Sequence, residues 1–219
     1  MSWSGTITAS CSCWGTGTRR ATLTRVDRAL LDRALTDTAQ VRPLSENIAA
    51  LLREVSAPPR LAAHLRAVHD VAWQLTEAIV TMYPALRFDR EEVLFGAATH
   101  DIGKTIHIAE LSQPGVRHEQ AGYELLIESG VEQRLARFAA NHGTWTMPDI
   151  STEDLLVSLA DKIWKAKRVP DLEDRIIQRI CDITGESRWQ VFMNLDGLLD
   201  RIARGADARL AFQNRYPVA

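Results

Sequence analysis

Cysteine is scarce: Cys11, Cys13 and Cys181 are the only three in 219 residues. An odd count without a spaced framework excludes the disulfide scaffold of a small secreted domain. Cys11 and Cys13 fall in a Ser/Thr/Gly-rich head, and ligand sites need more rigid elements than that. Long apolar runs are missing too; none approaches the ~20 residues that a membrane span requires. The first twenty residues, MSWSGTITASCSCWGTGTRR, lack the basic start and apolar stretch of a secretory signal, and Arg19-Arg20 is not followed by the apolar run of a twin-arginine signal. A cytoplasmic location is the expectation. Charge of one sign is equally absent, with Lys+Arg 26 against Asp+Glu 28 and a net charge of -2. That balance gives no electrostatic case for nucleic acid or a membrane surface as partner.

Strand signals are the last absence, since no period-2 run is long enough to read as one. What the sequence does have is apolar residues at helical spacing, in a chain that is 46% hydrophobic. Leu23, Val26, Leu30, Leu31 and Leu35 form one stripe, and a short helix follows from about 44 to 55. Ala57-Pro58-Pro59 breaks the pattern, and a long helix then runs over about 60–82, ended by Pro84. Asp89 with Glu92 three residues on predicts a capping box at the next helix. Residues 105–116 read as a loop containing Pro114-Gly115. Helices are expected at about 117–129, 131–142, 151–168, 170–185 and 187–212. The expected class is all-α, a helical bundle with a low-complexity tail at 1–20, N-terminal helices over 21–59, a central domain over 60–168 and C-terminal helices over 169–219. Trp189, Phe192, Leu195, Leu198, Leu199 and Ile202 would serve either a core or the face of a homodimer.

The histidines and two aspartates form the one constellation that carries chemistry. His64 lies on the apolar side of the long helix, where a lone His is most often a core residue. In GAATHDIGK, residues 96–104, His100 and Asp101 close a helix after small residues, so the turning backbone can aim two different donors at one point. Asp161 sits in the apolar run LLVSLADKIWKAK, and a carboxylate there carries a high desolvation cost without a cationic partner. A metal ion is such a partner.

His64, the His100-Asp101 doublet and Asp161, in that order on successive helices, resemble the H…HD…D signature of the HD-domain superfamily. HDIGK and LADK match the forms those motifs usually take, and the likeness covers about residues 60–168. It implies a divalent metal held by these four residues in a helical bundle, and hydrolysis of a phosphomonoester or phosphodiester of a small metabolite or nucleotide by metal-activated water. His118 in RHEQAGYELL and His142 in ANHGTW resemble the two further ligands of a dinuclear subgroup. In those relatives the residue at Asp101 bridges two ions, one taking His64, His100 and Asp161, the other His118 and His142. Mixed N/O ligands suit Fe, Mn, Co, Ni or Zn, in one or two copies. There is no GYP motif near His142, which disfavours a cyclic-dinucleotide esterase, and one His stands where many relatives have a pair.

Lys104, one turn past Asp101, is the candidate charge for a phosphate, with Arg117 beside His118 and Lys165 four residues after Asp161 as further substrate contacts. Solvated lysines near helix ends read equally well. His69 is turned away from His64 and reads as a surface or outer residue, and His107 as a loop residue. The resemblance leaves two other activities open: a di-iron oxygenase that shares the four-His, two-Asp set, and a non-catalytic module that senses a ligand. A costly buried carboxylate argues against the last.

Overall fold

The structure, a computed structural model, describes residues 25–37 and 41–218. The tail at 1–20, with Cys11 and Cys13, and Leu23 lie outside the described residues. The helices are α1 (Arg25–Thr36), α2 (Glu46–Glu54), α3 (Pro59–Met82), α4 (Arg90–Thr99), α5 (Arg117–Glu128), α6 (Gln133–Asn141), α7 (Thr152–Ile163), α8 (Pro170–Thr184), α9 (Arg188–Ala203) and α10 (Ala206–Asn214). No strand occurs among the described residues, so the class is all-α. The expected loop at 105–116 is tighter than it reads: turns of 3-10 helix at Ile102–Thr105 and Ile108–Leu111 carry the chain from α4 to α5.

Local chemistry accounts for the boundaries. Pro59 opens α3 at its first position, where a missing N–H costs nothing, and Pro84 follows its end. Ser151 and Ser187 cap α7 and α9 by accepting from Asp154 N and Gln190 N. Asp89 likewise accepts from Glu92 N, but the reciprocal half of the expected capping box is not made by Glu92. Its carboxylate turns to Arg134 and Arg137, and Glu153 takes the Asp89 N–H instead at 2.9 Å.

The core is built around α3, which packs against α1, α4, α7, α9 and α10. Leu61, Leu65, Val68, Val71, Ala72, Leu75 and Ile79 are fully enclosed, each large aliphatic contributing about 1.5–3 kcal/mol by leaving water. Arg66 of α3 is buried among them with no carboxylate partner among the described residues. Its guanidinium donates to the carbonyls of Ala34, Asp37, Val41 and Arg42, lashing the α1–α2 connection to the central helix. His69 corrects the surface reading: it is 7% exposed, and burial with the Arg42 and Arg66 charges pushes its imidazole down to about 4.

Two helices end sooner than their periodicity suggests. α7 stops at Ile163, where Ala166 at φ 59 lets Lys167 N reach Lys162 O and Ala166 N reach Ile163 O, a Schellman closure made without glycine. The expected helix over 187–212 breaks at Arg204-Gly205. An added Cβ at Gly205 would stand 2.7 Å from Arg209 Nη1, and Arg209 uses the corner to donate to the carbonyls of Ile202 and Trp164. Val191, Leu195, Leu198, Leu199 and Ile202 face the core, while Trp189 and Phe192 stack on each other outside it.

Candidate metal centre

Six side chains from five helices converge beside the N-terminal half of α3. His64 comes from α3, His100 caps the C-terminal end of α4, and Asp101 follows as the backbone leaves the helix at φ -100, ψ 9. His118 is the second residue of α5, His142 caps the end of α6, and Asp161 lies in the last turn of α7. Small residues allow this crowding. An added Cβ at Gly96 would lie 2.6 Å from Phe138 and 2.8 Å from Val157, so α4 rests directly on α6 and α7. Arg137 of α6 ties the same three helices together, donating to Glu92 of α4 at 2.9 Å and to the buried Asp154 of α7 at 3.2 Å. Ser158 Oγ donates to the carbonyl of His142 at 3.0 Å, holding the end of α6 to α7.

Asp101 sits at the centre, and its two oxygens face different partners. Oδ2 lies 3.2 Å from His64 Nε2 and 3.6 Å from His100 Nε2. Oδ1 lies 3.0 Å from His118 Nε2 and 3.5 Å from His142 Nε2. Asp161 Oδ1 flanks the first pair, 3.4 Å from His100 and 3.8 Å from His64. The donor atoms of His64, His100 and Asp101 lie within 4.8 Å of one another, as do those of Asp101, His118 and His142. Both sets are buried and of a size and donor type that can hold a metal ion.

The outer ring nitrogens decide what the inner ones present. Nδ1 of His100 meets Ala97 O at 3.0 Å and Nδ1 of His142 meets Ala139 O at 3.0 Å, each a carbonyl three residues back in its own helix. Nδ1 of His118 meets Glu110 Oε2 at 2.6 Å. All three partners are acceptors, which puts the proton on Nδ1 and leaves each neutral ring's Nε2 with a lone pair. His118 Nε2 and His142 Nε2 are 3.5 Å apart, and facing lone pairs at that distance call for a proton or a cation. His64 Nε2 and His100 Nε2 are buried without a hydrogen bond among the described residues.

The electrostatics favour anionic aspartates and neutral rings at His64 and His142. Burial opposes ionisation of Asp101, but His100, His118, His64 and the Lys104 ammonium outweigh it and hold the carboxyl well below the usual range. Asp161 is held low in the same way, by His100 and Lys162 against burial. Burial pushes His64 down, and it pushes His142 down to about 4 with help from His100. His118 is raised, because Asp101 and Glu110 together overcome its burial.

Of the expected substrate contacts, Lys104 Nζ lies 2.5 Å from Asp101 Oδ2. Arg117 is exposed at the start of α5 and engages Glu110 through its backbone N–H. Lys165 falls past the end of α7, exposed, with its ammonium 5.9 Å from the Trp164 ring; the i+4 spacing from Asp161 loses its meaning once the helix stops. His107 is half-buried, and its carbonyl accepts from Glu110 N. Sequence reasoning passed over Lys162, whose Nζ lies 2.6 Å from Asp161 Oδ2 and 5.6 Å from the Trp145 ring. Adjacent helical residues do not share a face, but a long side chain in the last turn can fold back. It missed Trp164 as well, whose ring meets that of His64 edge-on at 4.9 Å. Glu110 also escaped it, since nothing in a pattern of periods links that residue to His118 across Pro114-Gly115.

Residues 61–184 match the family model described as HD domain, a stretch that holds all six converging side chains and runs through α8. No curated protein and no solved structure gives a significant match.

Proposed function

The chain belongs to the HD-domain family, and from that premise we propose that it is a metal-dependent phosphohydrolase acting on a phosphomonoester or phosphodiester of a small metabolite or nucleotide. The observation that carries the reading is the split of Asp101, with two histidine nitrogens gathered at each of its oxygens. In this reading His64, His100, Asp101 and Asp161 hold one ion, and Asp101, His118 and His142 hold a second. Four imidazoles and two carboxylates suit Fe, Mn, Co, Ni or Zn. A divalent ion bound there supplies Lewis acidity to a phosphoryl oxygen and lowers the pKa of a water.

The chain's own groups do the rest. Asp101 and Asp161 are ionised at neutral pH, ready as ligands without a proton to lose. Lys162 stands on the outer oxygen of Asp161, and Lys104 on Asp101 Oδ2, the oxygen that also faces His64 and His100. With a metal bound, both ammonium groups would stand within reach of the phosphoryl oxygens, where charge develops in the transition state. Trp145 beside Lys162 offers an aromatic wall for the leaving group, and the buried Trp164 closes the side behind His64. Glu119, half-buried next to Gly143, is kept more protonated by burial and by Asp101, despite the His118 and Lys162 charges, and it stands at the same mouth.

The test is metal content of protein purified without chelator, for wild type and His118→Ala, with release of p-nitrophenol from its phosphate mono- and diester. Two ions falling to one, with metal-dependent release in the wild type, supports the reading. Iron with O₂ consumption and no ester cleavage would move the protein to the oxygenases. Absence of bound metal in both would remove the catalytic reading and leave a binding module.

A further inference from the structure

The three helix-end histidines are not held alike. His100 and His142 stand at the C-terminal ends of α4 and α6, where a carbonyl three residues back lies beneath the ring. His118 is the second residue of α5, and the residue three back from it, Gly115, precedes the helix. No carbonyl of its own helix can serve its ring, so the acceptor must come from elsewhere, and Glu110 supplies it. Glu110 Oε2 lies 2.6 Å from His118 Nδ1 and accepts from His118 N at 3.1 Å, while Oε1 accepts from Arg117 N at 3.3 Å. Val116, the residue at the cap position of α5, makes no side-chain cap. One carboxylate therefore holds the ring and caps the helix that carries it, at the end where the helix dipole favours negative charge. The intervening turn is shaped for it: an added Cβ at Gly115 would lie 2.5 Å from the Glu110 carboxylate.

We propose that Glu110 is the positioning residue for one half of the centre, fixing the ring and tautomer of His118 and thereby deciding whether the Asp101–His118–His142 site fills. The inference rests on the metal reading given above. A carboxylate behind a ligating imidazole orients the ring and strengthens it as a donor, and losing such a partner costs about 10–100-fold in metal affinity. The effect is local. His100 does not depend on Glu110, since Ala97 O already holds its Nδ1.

Mn(II) titrated into the metal-free full chain, wild type and Glu110→Gln, tests it, with far-UV circular dichroism to establish that the variant is folded. Glutamine keeps an oxygen for one backbone N–H but loses the charge. The expected result is two ions in the wild type and, in the variant, one unchanged affinity with the other weakened about 10–100-fold. Gly115→Ala, which presses on the carboxylate from outside, is expected to weaken the same ion. Equal affinities in wild type and Glu110→Gln overturn the inference while leaving the metal reading intact, as does equal weakening of both ions in a folded variant. A wild type that binds no Mn(II) removes both. A readout without metal stands beside these: ¹⁵N shifts of the His118 ring in the metal-free wild type at alkaline pH should report the proton on Nδ1, and a proton on Nε2 overturns the assignment.

Discussion

Gly103 and Gly122 meet backbone to backbone. An added Cβ at Gly103 would drive into the carbonyl of His118 and stand 2.5 Å from Gly122 N, while one at Gly122 would lie 3.0 Å from Gly103 N. One glycine belongs to the HDIGK turn and the other to the helix that His118 opens, so their contact sets how far Asp101 stands from His118.

Gly103→Ala is therefore expected to cost at least about 3 kcal/mol, the upper range for overpacking, because the obstacle is backbone rather than a side chain that can yield. Gly122→Ala, with looser neighbours, should cost less. Urea denaturation gives the order, and the reverse order would mean that the turn and α5 move apart freely.

Asp101→Asn is expected to abolish binding of both ions, whereas His142→Ala should abolish one. Metal analysis of the two purified variants decides it. Retention of a full complement in Asp101→Asn would show that the two His pairs do not depend on a shared carboxylate.

Lys104→Met and Lys162→Met should each lower kcat/KM for a phosphate ester by roughly 10²-fold, the scale of losing one charge-stabilising donor. Lys165→Met is expected to have the smaller effect, since its ammonium stands over Trp164 outside the ring of ligands. Steady-state kinetics on the three variants would reveal a misplaced mouth if Lys165 proved the most sensitive.

His69 makes the fold sensitive to acid. Its imidazole is pushed down from 6.5 to about 4 in the folded chain, so between those values the unfolded chain binds a proton that the native one refuses. Stability then falls as pH drops from 6.5 towards 4, by roughly 3 kcal/mol for this group. Denaturant midpoints across that window should show a shallower fall in His69→Gln than in the wild type.

Periodicity read the helices well because most of them bury one stripe, as α6 does with Leu135, Ala136, Phe138 and Ala139, whereas α3 is enclosed on every side from Leu61 to Ala72. It read their ends less well. The stop at Ile163 depends on Ala166 entering a left-handed conformation, and the break at Gly205 on room for the Arg209 guanidinium, neither of which leaves a trace in a hydrophobic pattern. His100-Asp101 and Asp161 stand out because adjacency and apolar surroundings make them costly without a purpose, while His118 and His142 are marked only by the family resemblance. What surrounds them does not stand out. Glu110 acts across a turn of 3-10 helix and a Pro-Gly bend, and Lys162 folds back along its own helix.

Arg209 reaches from α10 to the carbonyl of Trp164 at 2.8 Å, and the ring of Trp164 lies against His64. A chain cut after residue 184 would keep every candidate ligand and the whole stretch that matches the family, yet would lose this distant brace. Histidine and aspartate would still be present in full number, but the wall that fixes one of the rings would be loose. On the proposed reading the last helix thus bears on the site without touching it, and a fragment drawn from family boundaries would be expected to bind its first ion poorly.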